Sequence, residues 1–530
     1  MQIMKGRTIL RVVALSLCAL VLAWQHFNHA GQAGGARLLS QTRPAAVSSA
    51  PTETSPLARH WQVGTLSLAA CELPHLLSGA TTAAWCSDLD VAENPAQPAG
   101  RHIGLHLAVI RSDAAKPAPD MAVMLAGGPG EAATQAFADT AAYAGVLKHH
   151  DVLLLDQRGT GGSNPLSCKE TAEALRAQAP GDDGPGPDEI RSRVASCLAE
   201  VRKEADPRYY TTSIAVEDLE RVRRALGAPA LDLVGVSYGT RVAQQYLMRH
   251  PDAVRAAVLD SAAPNQLILG QGFAASLDSA LQRDFADCVA APACKRAFND
   301  PMQTLHQLRD GLRAHPHEVT FRDPRTFAPV ARLLTPGALV GVVRLFAYEP
   351  ETAALLPLSI DAAAHGDFAP LLGQQRLLDA DLAGDINGGM GMSVVCSEDA
   401  DELRALPQDA DTMLGNRLVE EIKAQCSVWP HGAMPADFHA PLRSDKPILV
   451  LSGSRDPVTP PKYGEQIVQG LSNARHLVLN GQGHAVLGRG CMPKLIEQFL
   501  DHPDPRKLDA SCLDRLGPTP AFVDFNGAAP

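Results

Sequence analysis

The sequence predicts an α/β protein: a mostly parallel sheet flanked by helices and interrupted by a large helical insertion. Three observations carry this. Short, continuous apolar runs end in Gly- or Asp-rich turns, as in AVMLA from Ala122, VLLLD from Val152 and LDLVG from Leu231. Such runs suit strands covered on both faces. Helical patterns lie between them, and strands alternating with helices make an α/β sheet. Finally, residues 269–438 abandon that rhythm for helix after helix before strand-like runs resume.

From the N-terminus, Lys5, Arg7 and Arg11 precede the apolar run Val12 to Trp24. A basic start and a short apolar stretch mark an export signal, cleaved or kept as an anchor, over residues 1–30. The run is shorter than the ~20 apolar residues that span a bilayer. Cys18 within it reads as filler. Residues 31–58 are rich in Ala, Ser, Thr, Pro and Gly without periodicity, and read as a flexible leader.

The sheet-forming core begins at about residue 59. Gln62–Ala69, Ala83–Val91 and Ile103–Ile110 alternate with period two, the mark of half-buried antiparallel strands. The buried runs follow, with a helix from Ser213 to Leu226 stopped by Gly227. AAVLD from Ala256 closes the first part of the core at about residue 268. The insertion carries helical stretches such as FAASLDSALQRDFADCV and NRLVEEIKAQC, with only EVTF near Glu318 reading as a strand. PILVLSG from Pro447 and HLVLNG from His476 return to the sheet, so residues 439–530 form the second part of the core.

Composition narrows the function. The formal net charge is -11, and no long Lys/Arg run follows the N-terminus. Nucleic acid is therefore not an expected partner, because phosphate binding needs clustered positive charge. Ten cysteines follow the signal segment: Cys71, Cys86, Cys168, Cys197, Cys288, Cys294, Cys396, Cys426, Cys491 and Cys512. An even number in an exported chain points to disulfides, and they fall naturally into sequence-neighbour pairs. No CxxC spacing is present, and His315-Pro316-His317 lacks the helical i, i+4 pair of a zinc peptidase.

The chemistry concentrates at strand ends. Gly235-Val236-Ser237-Tyr238-Gly239 is a G-x-S-x-G between a buried strand and a helix. The glycines allow a turn sharp enough to hold Ser237 above the sheet in a strained conformation. A serine hydroxyl needs a base oriented by an acid. Asp456 in SGSRDPVTPP and His484 in NGQGHAVLG follow in that order, each just beyond a late strand. Alone, Asp456 would equally suit a turn, and His484 a surface position; order and placement together nominate them. AGGPGEA at Ala126 to Ala132 supplies donors for a developing oxyanion. The N–H groups of Gly128 and Tyr238 are the candidates for that hole, with Gly127 beside the substrate.

GGPG, DQRGTGGSNPL, GVSYGTRVAQQYLMRHPDAV, LSGSRDPVTPP and GQGHAVLGRGC, taken in order, resemble the proline iminopeptidase and tripeptidyl aminopeptidase branch of α/β-hydrolase serine peptidases. The likeness runs over nearly all of the chain after about residue 60. It implies an exported serine aminopeptidase that needs no cofactor or metal and acts on peptides with a free N-terminus. It implies a membrane association only if the N-terminal segment stays as an anchor. Ser237, Asp456 and His484 take the triad, and Gly128 with Tyr238 the oxyanion hole. Iminopeptidases usually carry His before GGPG; Ala126 stands there, which favours the tripeptidyl-type branch. The resemblance also suggests that acids of the insertion bind the substrate ammonium, with Glu398 of SVVCSEDA the candidate beside Asp399. Asp156 and Arg158 are expected to brace a loop rather than react. An esterase or other acyl hydrolase using the same triad is the alternative.

Overall fold

The computed structural model describes residues 60–76, 78–167, 185–382, 388–524 and 526–527. The expected signal or anchor, the expected leader and Cys168 lie outside the described residues.

Ten strands form one sheet. In chain order these are β1 (His60–Val63), β2 (Leu66–Pro74), β3 (Thr81–Ala92), β4 (His102–Ile110), β5 (Met121–Leu125), β6 (Asp151–Leu155), β7 (Leu231–Val236), β8 (Val254–Asp260), and, after the insertion, β11 (Ile448–Gly453) and β12 (Ala474–Leu479). The spatial order is β1-β2-β3-β4-β6-β5-β7-β8-β11-β12. The first four strands pair antiparallel, as does β4 with β6. From β6 to β12 every pairing is parallel.

The apolar runs read as doubly covered strands, and the packing shows why. On β5, Met121, Val123 and Leu125 join one hydrophobic cluster, whereas Ala122 and Met124 join the cluster on the opposite face. The same alternation recurs on β6, β8 and β11. A strand buried on both faces cannot alternate polar and apolar residues. The segment Gln62–Ala69 is not one strand but a hairpin. Its chain reverses at Gly64, whose φ is +55°, and Thr65 N–H donates to Ala225 O at 2.8 Å.

The insertion has two differently packed parts. Helices Phe273–Ala290, Pro301–Ala314, Pro336–Phe346 and Leu356–Ala364 enclose their own cluster, including Leu277, Phe285, Leu305, Val342 and Ile360. A hairpin of β9 (His317–Arg322) and β10 (Pro329–Leu334) covers EVTF and pairs it antiparallel. Helices Gly388–Glu398 and Arg417–Cys426 instead send Met390, Val394 and Ala424 into the cluster that covers the main sheet.

Among the described residues, disulfides join the sequence neighbours Cys71–Cys86, Cys288–Cys294, Cys396–Cys426 and Cys491–Cys512. Cys197 is disulfide-bonded as well. Among the described residues, no helix is long and apolar enough to cross a membrane.

Candidate active site

Ser237 sits between β7 and the Tyr238–Arg249 helix with φ 56° and ψ -123°. That conformation is strained for a residue bearing a Cβ, and close packing imposes it. A Cβ on Gly239 would collide with the backbone of Leu125 and Ala126, and one on Gly235 with Gly239 itself. Both glycines therefore let the helix start directly against β5. The turn is braced on each side. Ser237 N–H donates to Asp260 O at 2.9 Å, and Ser237 O accepts from Thr240 N–H at 3.0 Å and Thr240 Oγ1 at 2.6 Å.

Asp456 lies just past β11 and His484 just past β12, both buried. His484 Nδ1 donates to Asp456 Oδ2 at 2.8 Å. The other carboxylate oxygen, Oδ1, accepts from the N–H groups of Val458 and Thr459, each at 2.8 Å. Burial pushes the Asp456 carboxyl up, but His484 and those donors outweigh it and hold it below its ordinary range. Burial likewise pushes the imidazole down, and Asp456, aided by Asp260 and Glu131, raises it above 6.5 instead.

Asp260, at the end of β8, fastens the His484 loop to the rim that carries Ser237. Its carbonyl takes the Ser237 N–H, and its carboxylate accepts from Val486 N–H at 3.0 Å and Leu487 N–H at 2.7 Å. Ser261 Oγ accepts from Ala485 N–H at 2.8 Å. Burial raises the Asp260 carboxyl to about 6, against the pull of those two N–H groups. The structure thus brings Ser237, Asp456 and His484 to one edge of the sheet. Sequence reading did not single out Asp260, because an aspartate ending a buried strand reads as a turn residue.

The AGGPGEA turn follows β5 and packs on Ser237. The position of a Cβ on Gly127 would lie 3.3 Å from Ser237 Cβ. Gly128 has φ +97°, open to glycine, and its peptide bond to Pro129 is cis. Tyr238 opens the helix, where the first N–H groups have no intrahelical partner and face developing negative charge. Gly127 N–H, by contrast, already donates to Glu131 Oε2 at 3.0 Å.

Asp156 ties the segment after this turn to its own loop, and Arg158 ties that loop to the helix and strand behind it. The Asp156 carboxylate accepts from Thr134 N–H and Thr134 Oγ1, both at 2.9 Å, and from Gly162 N–H. Arg158 forks onto Asp218 at 2.6 and 2.9 Å and donates to the carbonyls of Glu93 and Tyr209.

Glu398 takes a different place from the substrate wall that the sequence suggested. Its side chain is 1 % exposed, and its two oxygens accept from Thr212 N–H at 2.7 Å and Thr212 Oγ1 at 2.9 Å. Thr212 Oγ1 meets the Tyr238 hydroxyl at 2.6 Å, and Gln157 donates to that hydroxyl at 3.1 Å. Burial raises the Glu398 carboxyl to about 8 despite Arg241 nearby. Asp399 is bound to Arg241 at 2.8 Å. Glu398, the acid expected to bind substrate, is instead engaged inside by Thr212, and one oxygen of Asp399 by Arg241. Through Thr212, Glu398 braces the ring of Tyr238, whose backbone N–H is the oxyanion candidate.

The insertion touches His484 directly. Tyr348 O accepts from His484 N–H at 2.7 Å, and the two rings meet edge-on with centroids 5.2 Å apart. Arg455, beside the acid, is paired with Asp284 and Asp287 of the Phe273–Ala290 helix, and Arg489 with Glu349 and Glu351.

A family model described as alpha/beta hydrolase fold matches residues 123–489. The chain is similar to "Serine protease Hip1" of Mycobacterium tuberculosis, 27% identical over 74% of this chain and 81% of the relative. It is similar to "Tripeptidyl aminopeptidase" of Streptomyces coelicolor, 23% identical over 82% and 84%. It is also similar to "Carboxylesterase B" of Mycobacterium tuberculosis, 27% identical over 78% and 84%.

Proposed function

Because the chain belongs to the α/β-hydrolase fold family and is a hydrolase, we propose that it is an exported serine peptidase, cleaving oligopeptides near their free N-terminus. The observation that carries this is the buried Asp456–His484 pair, 2.8 Å long, fastened through Asp260 to the strand end that also holds the strained Ser237. The names of two relatives, a serine protease and a tripeptidyl aminopeptidase, support a peptide substrate. Local disulfides and the basic, then apolar, N-terminus support export.

In this reading His484 Nε2 takes the Ser237 proton as Oγ attacks the scissile carbonyl. The oxyanion is met by backbone N–H groups at Gly128 and Tyr238. The C–N bond breaks as His484 returns the proton to the leaving amine. Water, deprotonated by the same imidazole, then cleaves the acyl-enzyme. Asp456 holds the tautomer with its proton on Nδ1. The chemistry needs no metal or cofactor. The relative named a carboxylesterase supports the alternative, ester hydrolysis with the same triad.

Fluorophosphonate labelling and peptide turnover test the proposal. Ser237→Ala is expected to abolish labelling and lower kcat by roughly 10⁶-fold, with an unchanged melting curve. Full turnover in that variant would refute the nucleophile. Peptides with free or acetylated N-termini, run beside short-chain esters, separate peptidase from esterase.

A further inference from the structure

At the N-terminal edge of the parallel strands, two consecutive histidines meet the end of a distant helix. His149 follows the short helical turn Val146–Lys148, and Asp151 opens β6 just after His150. The helix Met492–Asp501 ends against them. His149 Nε2 stands 3.7 Å from Asp501 Oδ2, and His150 Nε2 stands 3.4 Å from Asp501 Oδ1. Glu497 lies one turn earlier on the same helix face. One donor atom from each of His149, Glu497 and Asp501 falls within 4.8 Å of the other two.

The two N···O separations exceed the ~2.7–2.9 Å of a charge-assisted hydrogen bond. They match the spacing of ligands about zinc instead. With bonds of ~2.0–2.2 Å in a tetrahedron, neighbouring donor atoms lie roughly 3.3–3.6 Å apart. The side chain of His150 is 3 % exposed, and among the described residues its Nε2 has no hydrogen-bond partner. Burying such an atom unsatisfied is unfavourable. Its other nitrogen, Nδ1, lies 2.9 Å from Asp120 Oδ2, the kind of carboxylate that orients a metal-binding imidazole from behind. Asp501 is the last residue of its helix, where the macrodipole disfavours an anion and favours a cation. Lys148 pairs with both oxygens of Glu497, at 2.9 and 3.0 Å, rather than with Asp501. His149 is half exposed, which gives an ion a way in from solvent.

We infer that His149, His150, Asp501 and Glu497 bind a zinc ion that ties the turn before β6 to the Met492–Asp501 helix. Two imidazoles select a transition metal over calcium, which takes six to eight oxygen ligands. Ser237 stands at the opposite end of the parallel strands, so the role is structural and independent of the hydrolase reading. The ion takes the place of a proton on His150 Nε2, and Asp120, His150 and Asp232 titrate freely only in metal-free protein.

Untagged protein stripped with a chelator and titrated with ZnCl2 by calorimetry tests this, with the melting temperature followed in parallel. Binding of about one equivalent and a rise in melting temperature are expected. His149→Gln keeps an amide able to hydrogen-bond Asp501 but loses the metal donor. Its zinc affinity should fall at least roughly 10- to 100-fold, the loss that even an outer partner of a metal ligand causes. Asp501→Asn should weaken binding likewise. A bland role, two histidines ion-paired with one aspartate, predicts otherwise. No zinc binding in the wild type, or one affinity shared by wild type and both variants, overturns the inference. An equal melting shift with CaCl2 also overturns it, because a diffuse acidic surface would then explain the effect. If Asp501→Asn fails to fold, the half-exposed His149→Gln decides alone. Fluorophosphonate labelling reports only on Ser237, so failure there leaves the zinc result standing, and the reverse holds as well.

Discussion

The two ends of the parallel strands hold the same residue types and use them differently. At the C-terminal rim, His484 pairs with Asp456 at 2.8 Å; at the N-terminal edge, His150 pairs with Asp120 at 2.9 Å. Both histidines are buried, and each has a second aspartate nearby, Asp260 at the rim and Asp232 at the edge. At the edge, however, Arg255 bridges Asp120 and Asp232, and Asp501 stands 3.4 Å from His150 Nε2. The far nitrogen of His150 thus faces another acid and no hydroxyl. At the rim, among the described residues, no arginine bridges Asp456 and Asp260, and a strained serine stands at the end of β7. An Asp–His pair becomes a base only where its second nitrogen is left for chemistry. At the edge it is an electrostatic clamp across the starts of four strands.

Removing one acid from each end should separate the two roles. Asp456→Asn is expected to lower kcat by ~10⁴-fold, because the imidazole loses the partner that sets its tautomer, while thermal stability changes little. Asp120→Ala should do the reverse. Breaking a buried charge cluster costs ~3–5 kcal/mol of stability, read by denaturant unfolding, with kcat per folded molecule retained. If Asp120→Ala instead abolished turnover, the distinction between rim and edge would fail.

Acidity sharpens the contrast, because the two ends respond in opposite senses. Burial raises the Asp232 carboxyl to about 7, overriding Arg255, so folding is increasingly disfavoured as pH rises from 3.8 through that value. His150 is also raised, since Asp120 and Asp232 outweigh its burial; its contribution is full below 6.5 and lost above. Asp120 is held well below its ordinary value, its partners overcoming burial, so its contribution disappears only as pH falls below 3.8. Melting temperature should therefore decline from mildly acid to neutral pH, and Asp232→Asn should flatten that decline. Activity needs neutral His484, whose pKa is raised, so kcat/KM should climb with pH along a limb centred above 6.5. Asp260→Asn should move that limb to lower pH without moving the melting profile of the edge.

The smallest effect belongs to Glu398. Glu398→Gln keeps one acceptor for Thr212 and removes a carboxyl already raised to about 8. A several-fold fall in kcat with unchanged KM is expected if the Thr212–Tyr238 contact positions the oxyanion donor, measured by steady-state kinetics. A selective rise in KM for unblocked peptides would return Glu398 to substrate binding.

Much of the rim was legible in the sequence because strand ends and short turns leave local signatures. Ser237 lay between two glycines, and Asp456 and His484 each followed a buried apolar run. Other features had no local signature. The Gly388–Glu398 helix begins GGMGM, a poor helix former, and tertiary contact supports it: Gly389 N–H donates to Leu166 O at 3.0 Å. The second strand of the β9–β10 hairpin, PVARLL, shows no clear alternation and is stabilised by its partner. Glu398 had the composition expected of a binding acid, and only its burial against Thr212 reveals a bracing role. Glu131 was in plain view as a loop acid after GGPG; its hold on Gly127 N–H is a product of folding.

The grip of Tyr348 on the loop of His484 has a consequence for how such enzymes diversify. An inserted roof joined to His484 by a main-chain carbonyl cannot be exchanged as a detachable module. Any grafted replacement would have to bring its own acceptor to that amide, or leave the imidazole without its upper support. Changes of specificity in this lineage are then easier to reach by altering side chains within the roof than by trading one roof for another.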